Sequence, residues 1–160
     1  MLKVLVRAAA VAAFVVVAAI PVTASAAGGG GGGGTSNGMT VTIGSPIKLQ
    51  NKLLVTVPVT VTCVAPISVD PRFTQPGSVG VTVEEAVGKA IASGSGGVEL
   101  DSCSPTPQTF FVQVTPNLFP ASGPFKKGAA IANATGVICD SNFPQTCYLG
   151  GTGWLTIRLG

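Results

Sequence analysis

Apolar and polar residues alternate with a period of two from Met39 onward. In the run from Leu53 to Cys63, valines share one face with the cysteine, and threonines and a proline occupy the other. Such alternation over about ten residues, rich in β-branched types, predicts a strand with one buried face. Because proline has no N–H to donate, Pro58 predicts that this strand is unpaired or irregular on one side.

The same pattern predicts a series of further short strands. They cover residues 39–43, 79–85, 89–92, 98–100, 109–115, 129–139 and 154–159. The segment at residues 93–97, Ser-Gly-Ser-Gly-Gly, is interpreted as a glycine-rich turn between two of them. Residues 84–92 are the only rival for a helix, and Gly88 weakens that interpretation.

Seven or eight short strands, with turn signals every eight to twelve residues, predict an all-β fold. We expect an immunoglobulin-like antiparallel β-sandwich with two disulfides over residues 39–160, with a closed barrel as the alternative. Specific immunoglobulin markers are absent, because no tryptophan follows Cys63 at the expected distance and no tyrosine lies two residues before Cys139. The prediction therefore concerns architecture alone.

The first 26 residues have the three parts of a secretory signal peptide. Lys3 and Arg7 provide the basic start, residues 8–20 form an uncharged apolar run, and Ala24-Ser25-Ala26 matches a cleavage site. The apolar run is shorter than the roughly 20 residues that span a bilayer. We therefore expect a secreted, extracellular protein with no membrane span after cleavage.

Seven consecutive glycines at residues 28–34 lie within a segment, 27–38, that predicts a flexible tail or spacer. Cleavage after Ala26 removes two of the nine basic residues and leaves seven against six acids, a net charge of +1. A nearly neutral domain lacks the basic footprint of proteins that bind nucleic acids. We expect no nucleic-acid partner.

Four cysteines in a small exported chain favour disulfides: Cys63, Cys103, Cys139 and Cys147. Zinc is disfavoured because the chain has no histidine and no C-x-x-C motif. If the strands run alternately up and down, all four cysteines lie at one end of the domain. We favour the pairs Cys63–Cys103 and Cys139–Cys147, with Cys63–Cys139 and Cys103–Cys147 as the alternative.

Candidate chemistry is sparse. The lack of histidine removes Ser-His-Asp and Cys-His machinery. Glu84 and Glu85 are adjacent on a strand and point to opposite faces. Glu99 and Asp101 share a face, about 6.5 Å apart, so a hydrolase pair or a calcium site is conceivable there. Paired surface acids are ordinary, however, and we predict no enzyme activity, no metal site and no cofactor.

Strand alternation also predicts which aromatic residues face outward. If Leu155, Ile157 and Leu159 are buried, Trp154 and Arg158 are exposed, and the same argument exposes Phe111. Exposed aromatic rings can anchor a protein partner or stack on a sugar. Trp154, Phe111 and Arg158 are therefore the candidate contact residues.

Several stretches carry a resemblance to known proteins: residues 87–89, 91–94, 108–110 and 124–128, with Cys103 and Cys139. Together they resemble a group of small exported proteins of actinobacteria that have no assigned activity. The resemblance covers about residues 78–159. It implies an immunoglobulin-like sandwich with paired cysteines, and it implies no activity.

Two functions fit these observations. The first is a non-enzymatic interaction module that binds an extracellular protein or an envelope polysaccharide. The alternative is a secreted protein inhibitor or small-ligand carrier that uses the loops at the disulfide end. This alternative requires residues 64–77 and 139–148 to form a cleft or a rigid protruding loop.

Overall fold

The computed structural model describes residues 38–70, 75–88, 90–117 and 122–160. The predicted signal peptide, residues 1–26, and residues 27–37 of the glycine-rich segment lie outside these ranges. The described residues contain no helix that is long and apolar enough to cross a membrane.

The described chain forms eleven strands. They are β1 (Met39–Ile43), β2 (Lys48–Gln50), β3 (Leu54–Cys63), β4 (Ile67–Ser68), β5 (Gly77–Val87), β6 (Ala90–Leu100), β7 (Ser102–Cys103), β8 (Gln108–Pro116), β9 (Gly128–Cys139), β10 (Cys147–Gly151) and β11 (Leu155–Leu159). Eight of them have five or more residues. The sequence pattern does not predict the three short ones, β2, β4 and β7, or the five-residue β10.

Strand β3 has the predicted buried face. Val55, Val57, Val59 and Val61 are fully buried, because their side chains point into the core that all the long strands share. On one side of β3, β1 pairs with residues 59–63 and β2 with residues 54–56, so Pro58 lies opposite the gap between them. The Pro58 carbonyl accepts a hydrogen bond from Gly44 N at 2.7 Å. The prediction of an irregular edge at Pro58 is confirmed.

Nine strands form a strongly curved sheet in the order β1-β3-β8-β6-β5-β9-β10, with β2 beside β3 and β11 beside β9. Its named strand pairs are antiparallel. The sheet nearly closes, because Ile47 bridges Leu159 in parallel and Gly160 N donates to Ile47 O at 3.2 Å. The structure confirms an all-β, antiparallel fold, and the curvature makes it nearly barrel-like.

Strand directions define two ends of the molecule. Strands β3, β6 and β9 run the same way, since each is separated from the next by one antiparallel neighbour. Cys63 and Cys139 close β3 and β9 at one end, which we name the disulfide pole. The turn between β2 and β3, the start of β9 and the end of β11 lie at the opposite end, the basic pole.

The predicted glycine turn at residues 93–97 is wrong, because β6 runs straight through it and pairs with β5 from Val87 to Gly77. The glycines are needed there because β8 crosses β6 at very short range. A Cβ on Gly96 would collide with the Gln113 carbonyl oxygen, and one on Gly94 with that of Thr115. The β5–β6 turn is instead at Gly88, whose φ of 63° favours glycine.

Candidate functional site

Both disulfides are paired as favoured from the sequence. Cys63 joins Cys103 with an S–S distance of 2.05 Å, and Cys139 joins Cys147 at 2.02 Å. All four cysteines lie at the disulfide pole, since Cys103 follows the end of β6 there and Cys147 opens β10 opposite Cys139. Two disulfides are typical of proteins that work in an oxidising, extracellular setting.

The second disulfide closes a nine-residue ring, Cys139 to Cys147, which we name the Phe143 loop. It connects β9 to β10, whose first residue pairs with the last residue of β9. Phe143 lies near the middle of the ring, and its side chain is fully exposed. An exposed aromatic ring on a closed loop is a candidate anchor for a contact with another molecule.

Hydrogen bonds across the ring brace the Phe143 loop. Thr146 N donates to Asp140 Oδ1 at 2.9 Å, and Asp140 N donates to Thr146 O at 2.9 Å. The Asn142 side-chain amide donates to Asp140 Oδ2 at 3.2 Å. From the neighbouring segment, Asp70 N donates to Ser141 Oγ at 2.8 Å. Residues 139–148 therefore form an exposed loop braced by hydrogen bonds and a disulfide, while residues 71–74 of the other loop lie outside the described residues.

The hydrogen bond from the Thr146 backbone is the largest effect and holds the pKa of Asp140 below its ordinary value. Desolvation raises the pKa, and two weaker hydrogen bonds from Asn142 lower it. A depressed folded-state pKa means that ionised Asp140 stabilises the loop above the unfolded-state pKa. That contribution disappears as the pH falls through the folded-state pKa.

We predict that the Asp140 carboxyl titrates below its ordinary pKa of 3.8 in the folded protein. Carbon-detected NMR of the side-chain carboxyl, repeated on the unfolded chain, measures both values. The amide signals of Asn142 and Thr146 should shift with the same midpoint, because both groups bond the carboxylate. A folded-state midpoint at or above the unfolded one would contradict this bracing role.

A second candidate site lies on the outer face of β2, β3 and β8. It is a cleft of about 410 Å³, which we name the Phe111 groove. Its lining residues are Ser45, Pro46, Lys48, Gln50, Thr56, Pro58, Thr109 and Phe111. Phe111 is 70% exposed and pairs across the strands with Pro58. Thr109 and Thr60 share a hydroxyl hydrogen bond of 2.9 Å beside it.

Trp154 and Arg158 are exposed as the alternation predicts, and Trp154 is 50% exposed. Arg158 lies on β11, and Trp154 is the residue before that strand. Strands β2 and β3 separate both of them from Phe111 on β8. Arg158 lines a second shallow concavity of about 510 Å³ with Gly128, Ala129, Thr156 and Ile157. The structure therefore exposes all three predicted contact residues, but it does not gather them around one pocket.

The carboxylates are not gathered into a site. Glu99 and Asp101 are exposed, and both concave surfaces described above are lined by other residues. Glu84 and Glu85 point to opposite faces as predicted, and the buried Glu85 accepts a hydrogen bond from Lys126 N at 2.7 Å. No group of three potential metal ligands occurs among the residues that the structure describes.

Sequence reasoning misses two residues that the structure makes prominent, Phe143 and Lys48. Phe143 lies in a loop without periodicity, although its position between two cysteines nine residues apart is a usable signal. Lys48 is the first residue of β2, a three-residue strand that alternation does not predict.

Comparison with known protein families, curated proteins and solved structures finds no match for this chain. The resemblance to small actinobacterial proteins stays a prediction.

Proposed function

We propose that this chain is an exported binding module without catalytic activity, and that its Phe143 loop inhibits a secreted protease by entering its specificity pocket. The fully exposed Phe143, on a loop closed by a disulfide and braced by Asp140, is the observation that carries the proposal. Residues that dominate binding energy are typically aromatic anchors that fill a pocket of the partner.

Preorganisation supports a protease as the partner. A loop that is already held in one conformation loses little entropy when it binds, so more of the contact energy contributes to affinity. In most protease–inhibitor complexes the interface backbone moves little between the free and bound states. The disulfide and the hydrogen bonds of Asp140 supply such rigidity here.

The chemistry of the loop also indicates which protease. The side chain presented is aromatic and uncharged, which suits the hydrophobic specificity pocket of chymotrypsin-type enzymes and not the acidic pocket of trypsin. The surrounding acids, Asp70, Glu99, Asp101 and Asp140, lie at the same pole. A pocket with a basic rim would complement them.

We propose further that the curved sheet consists of two facing layers, as in an immunoglobulin-like sandwich. Among the described residues, β6 and β8 pair at two positions, Gly94↔Pro116 and Ser95↔Thr115. A single parallel bridge closes the other side. These narrow connections support two facing layers, as in an immunoglobulin-like sandwich, in preference to an evenly paired barrel.

We expect the protein to inhibit chymotrypsin reversibly and to leave trypsin active. Phe143→Ala should weaken inhibition at least thirtyfold, the loss expected when an anchor worth about 2 kcal/mol is removed. Phe143→Lys should transfer inhibition to trypsin. Inhibition constants measured with small chromogenic substrates test each variant.

Phe111→Ala is the matched control, since it removes another exposed phenylalanine from a different surface. It should leave the inhibition constant unchanged. Failure of the unaltered protein to inhibit chymotrypsin, together with a Phe143→Lys variant that is inactive against trypsin, would refute the proposal.

A further inference from the structure

Charged residues are separated between the two ends of this molecule. All five described basic residues lie at or near the basic pole: Lys48, Lys52, Lys126, Lys127 and Arg158. Four of the six acids lie at the disulfide pole, and the other two, Glu84 and Glu85, lie nearer the basic pole. Among the residues that the structure describes, the basic end has five cations and two acids, a net charge of +3, and the disulfide pole has four acids, a net charge of −4. A field of this kind attracts anions to one end alone.

The Phe111 groove opens toward the basic pole. Phe111 pairs with Pro58, and Lys48 pairs with Thr56 two residues further along β3. With neighbouring strands about 4.8 Å apart and a rise of about 3.3 Å per residue, the Cα atoms of Phe111 and Lys48 are about 12 Å apart. The groove therefore has an aromatic end and a cationic end, and its lining residues include no acid.

The near-closure of the sheet extends this surface to Arg158. Leu49 N donates to Gly160 O at 3.0 Å and Gly160 N donates to Ile47 O, so Lys48 lies directly beside Gly160. Ile47 and Leu159 are buried while Lys48 and Arg158 are exposed, so both cations lie on the outer face, with Cα atoms about 8 Å apart. The outer surface thus carries one row of three residues across β8, β3, β2 and β11: Phe111, Lys48 and Arg158.

The lining of the groove matches the surface of a sugar ring. A pyranose has one apolar face of C–H groups, which stacks on an aromatic ring, and a rim of hydroxyls that need hydrogen-bond partners. The exposed ring of Phe111 offers the first, and Ser45, Gln50, Thr56 and Thr109 offer the second. The positive charges of Lys48 and Arg158 have no partner on a neutral sugar, so they favour a sugar that carries negative charge.

From these observations we infer that the surface from Phe111 through Lys48 to Arg158 binds an acidic polysaccharide, one with carboxylated sugar rings. The aromatic ring stacks on one sugar, and the two cations pair with carboxylates further along the polymer. This site is separate from the Phe143 loop and lies toward the opposite end of the molecule. Its existence does not depend on whether the loop inhibits a protease.

Calorimetric titration of the purified protein with oligosaccharides from alginate, a polymer of uronic acids, tests the inference. We expect saturable binding that weakens as the salt concentration rises from 50 to 500 mM, since the contacts with Lys48 and Arg158 are exposed to solvent and screened. Neutral dextran oligosaccharides of similar length should bind at least tenfold more weakly.

The variants separate stacking from charge. Phe111→Ala should weaken alginate binding at least fivefold. The pair Lys48→Gln and Arg158→Gln should weaken it three- to tenfold and should remove most of the salt dependence. Phe143→Ala should bind alginate as well as the unaltered protein does. All substituted positions are exposed, so unchanged melting temperatures should show that each variant is folded.

Three results would overturn the inference: no binding of alginate, equal binding of dextran, or an unchanged affinity of Phe111→Ala. Tighter binding of single-stranded DNA than of alginate would also overturn it, since a polyphosphate would then be the better occupant of the cationic line. Loss of protease inhibition with intact alginate binding would refute only the function proposed for the Phe143 loop, and the converse result would refute only this inference.

Discussion

Replacing Cys63 and Cys103 by alanine should lower the free energy of unfolding by about 3.9 kcal/mol, against about 2.6 kcal/mol for the corresponding change at Cys139 and Cys147. The first disulfide joins residues 40 apart in sequence and the second joins residues 8 apart. Because a longer closed loop restricts the unfolded chain more, the Cys63–Cys103 crosslink stabilises the fold more. Alanine suits Cys63 and Cys103, since both are buried and a serine hydroxyl would lack a partner there.

Guanidinium unfolding of the two double variants measures this difference. The slopes with denaturant also have to be compared, because a crosslink changes the compactness of the unfolded chain. An equal loss for the two pairs, or a larger loss for Cys139–Cys147, would contradict the chain-entropy explanation.

The same two variants distinguish stability from binding. Loss of Cys139–Cys147 should leave most of the fold intact but release the ring that holds Phe143. The inhibition constant should therefore rise strongly, while the free energy of unfolding falls by the smaller of the two amounts. Loss of Cys63–Cys103, which joins β3 to β7, should lower the free energy of unfolding by the larger amount. The inhibition constant should change little, because the Phe143 loop stays closed.

Seven of the eight long strands were predictable from local pattern, β6 as two pieces, and the observed disulfide pairing was the favoured one of two alternatives. Alternating valines at 55, 57, 59 and 61 have one face to bury, and a period of two admits only a strand. Once strands alternate in direction, the ends at which cysteines lie follow from counting strands. The pairing of Cys139 with Cys147 then needs only that β9 and β10 are neighbours.

The failed turn at residues 93–97 shows where local pattern is insufficient. Glycine permits a tight turn, but it also permits another backbone to approach closely, and the sequence does not distinguish the two uses. In this fold the second use applies, because β8 crosses directly over Gly94 and Gly96. That crossing is a tertiary contact between segments about 20 residues apart, which no short window contains.

Candidate sites divide in the same way. The outward direction of Phe111, Trp154 and Arg158 followed from strand parity and was predictable. The proximity of Arg158 to Lys48 was not, because it depends on the bridge between Ile47 and Leu159, whose partners are 112 residues apart. A site that includes residues from both edges of a curved sheet can be recognised only when the structure shows which edges meet.

The two proposed sites lie toward opposite ends of the sheet. Strand β3 has 10 residues, so at a rise of about 3.3 Å per residue the poles are about 30 Å apart. Phe111 is level with Pro58, midway along β3, and Lys48 and Arg158 lie nearer the basic pole. A complex of this protein with both an acidic polymer and a protease would place inhibition near an anionic surface.

Phe125→Ala should destabilise the protein by about 3–5 kcal/mol, the range for removing a fully buried aromatic ring. Phe125 lies between strands, just before β9, yet its side chain is completely buried. A Cβ on Gly94 would lie 2.7 Å from Phe125 Cζ, so the ring occupies the space that the missing side chain of Gly94 leaves. Its backbone N–H donates to Lys52 O at 2.9 Å and ties this segment to the turn before β3.

Denaturant unfolding of Phe125→Ala, beside Phe111→Ala as a control, measures the effect. Both variants remove a phenylalanine ring, but Phe111 is 70% exposed, so its removal should change the free energy of unfolding by less than about 0.5 kcal/mol. Phe125→Leu should fall between the two, since leucine refills part of the cavity. A decrease in the free energy of unfolding of less than about 1 kcal/mol for Phe125→Ala would contradict this prediction. It would show that the neighbouring strands can close the cavity beside Gly94.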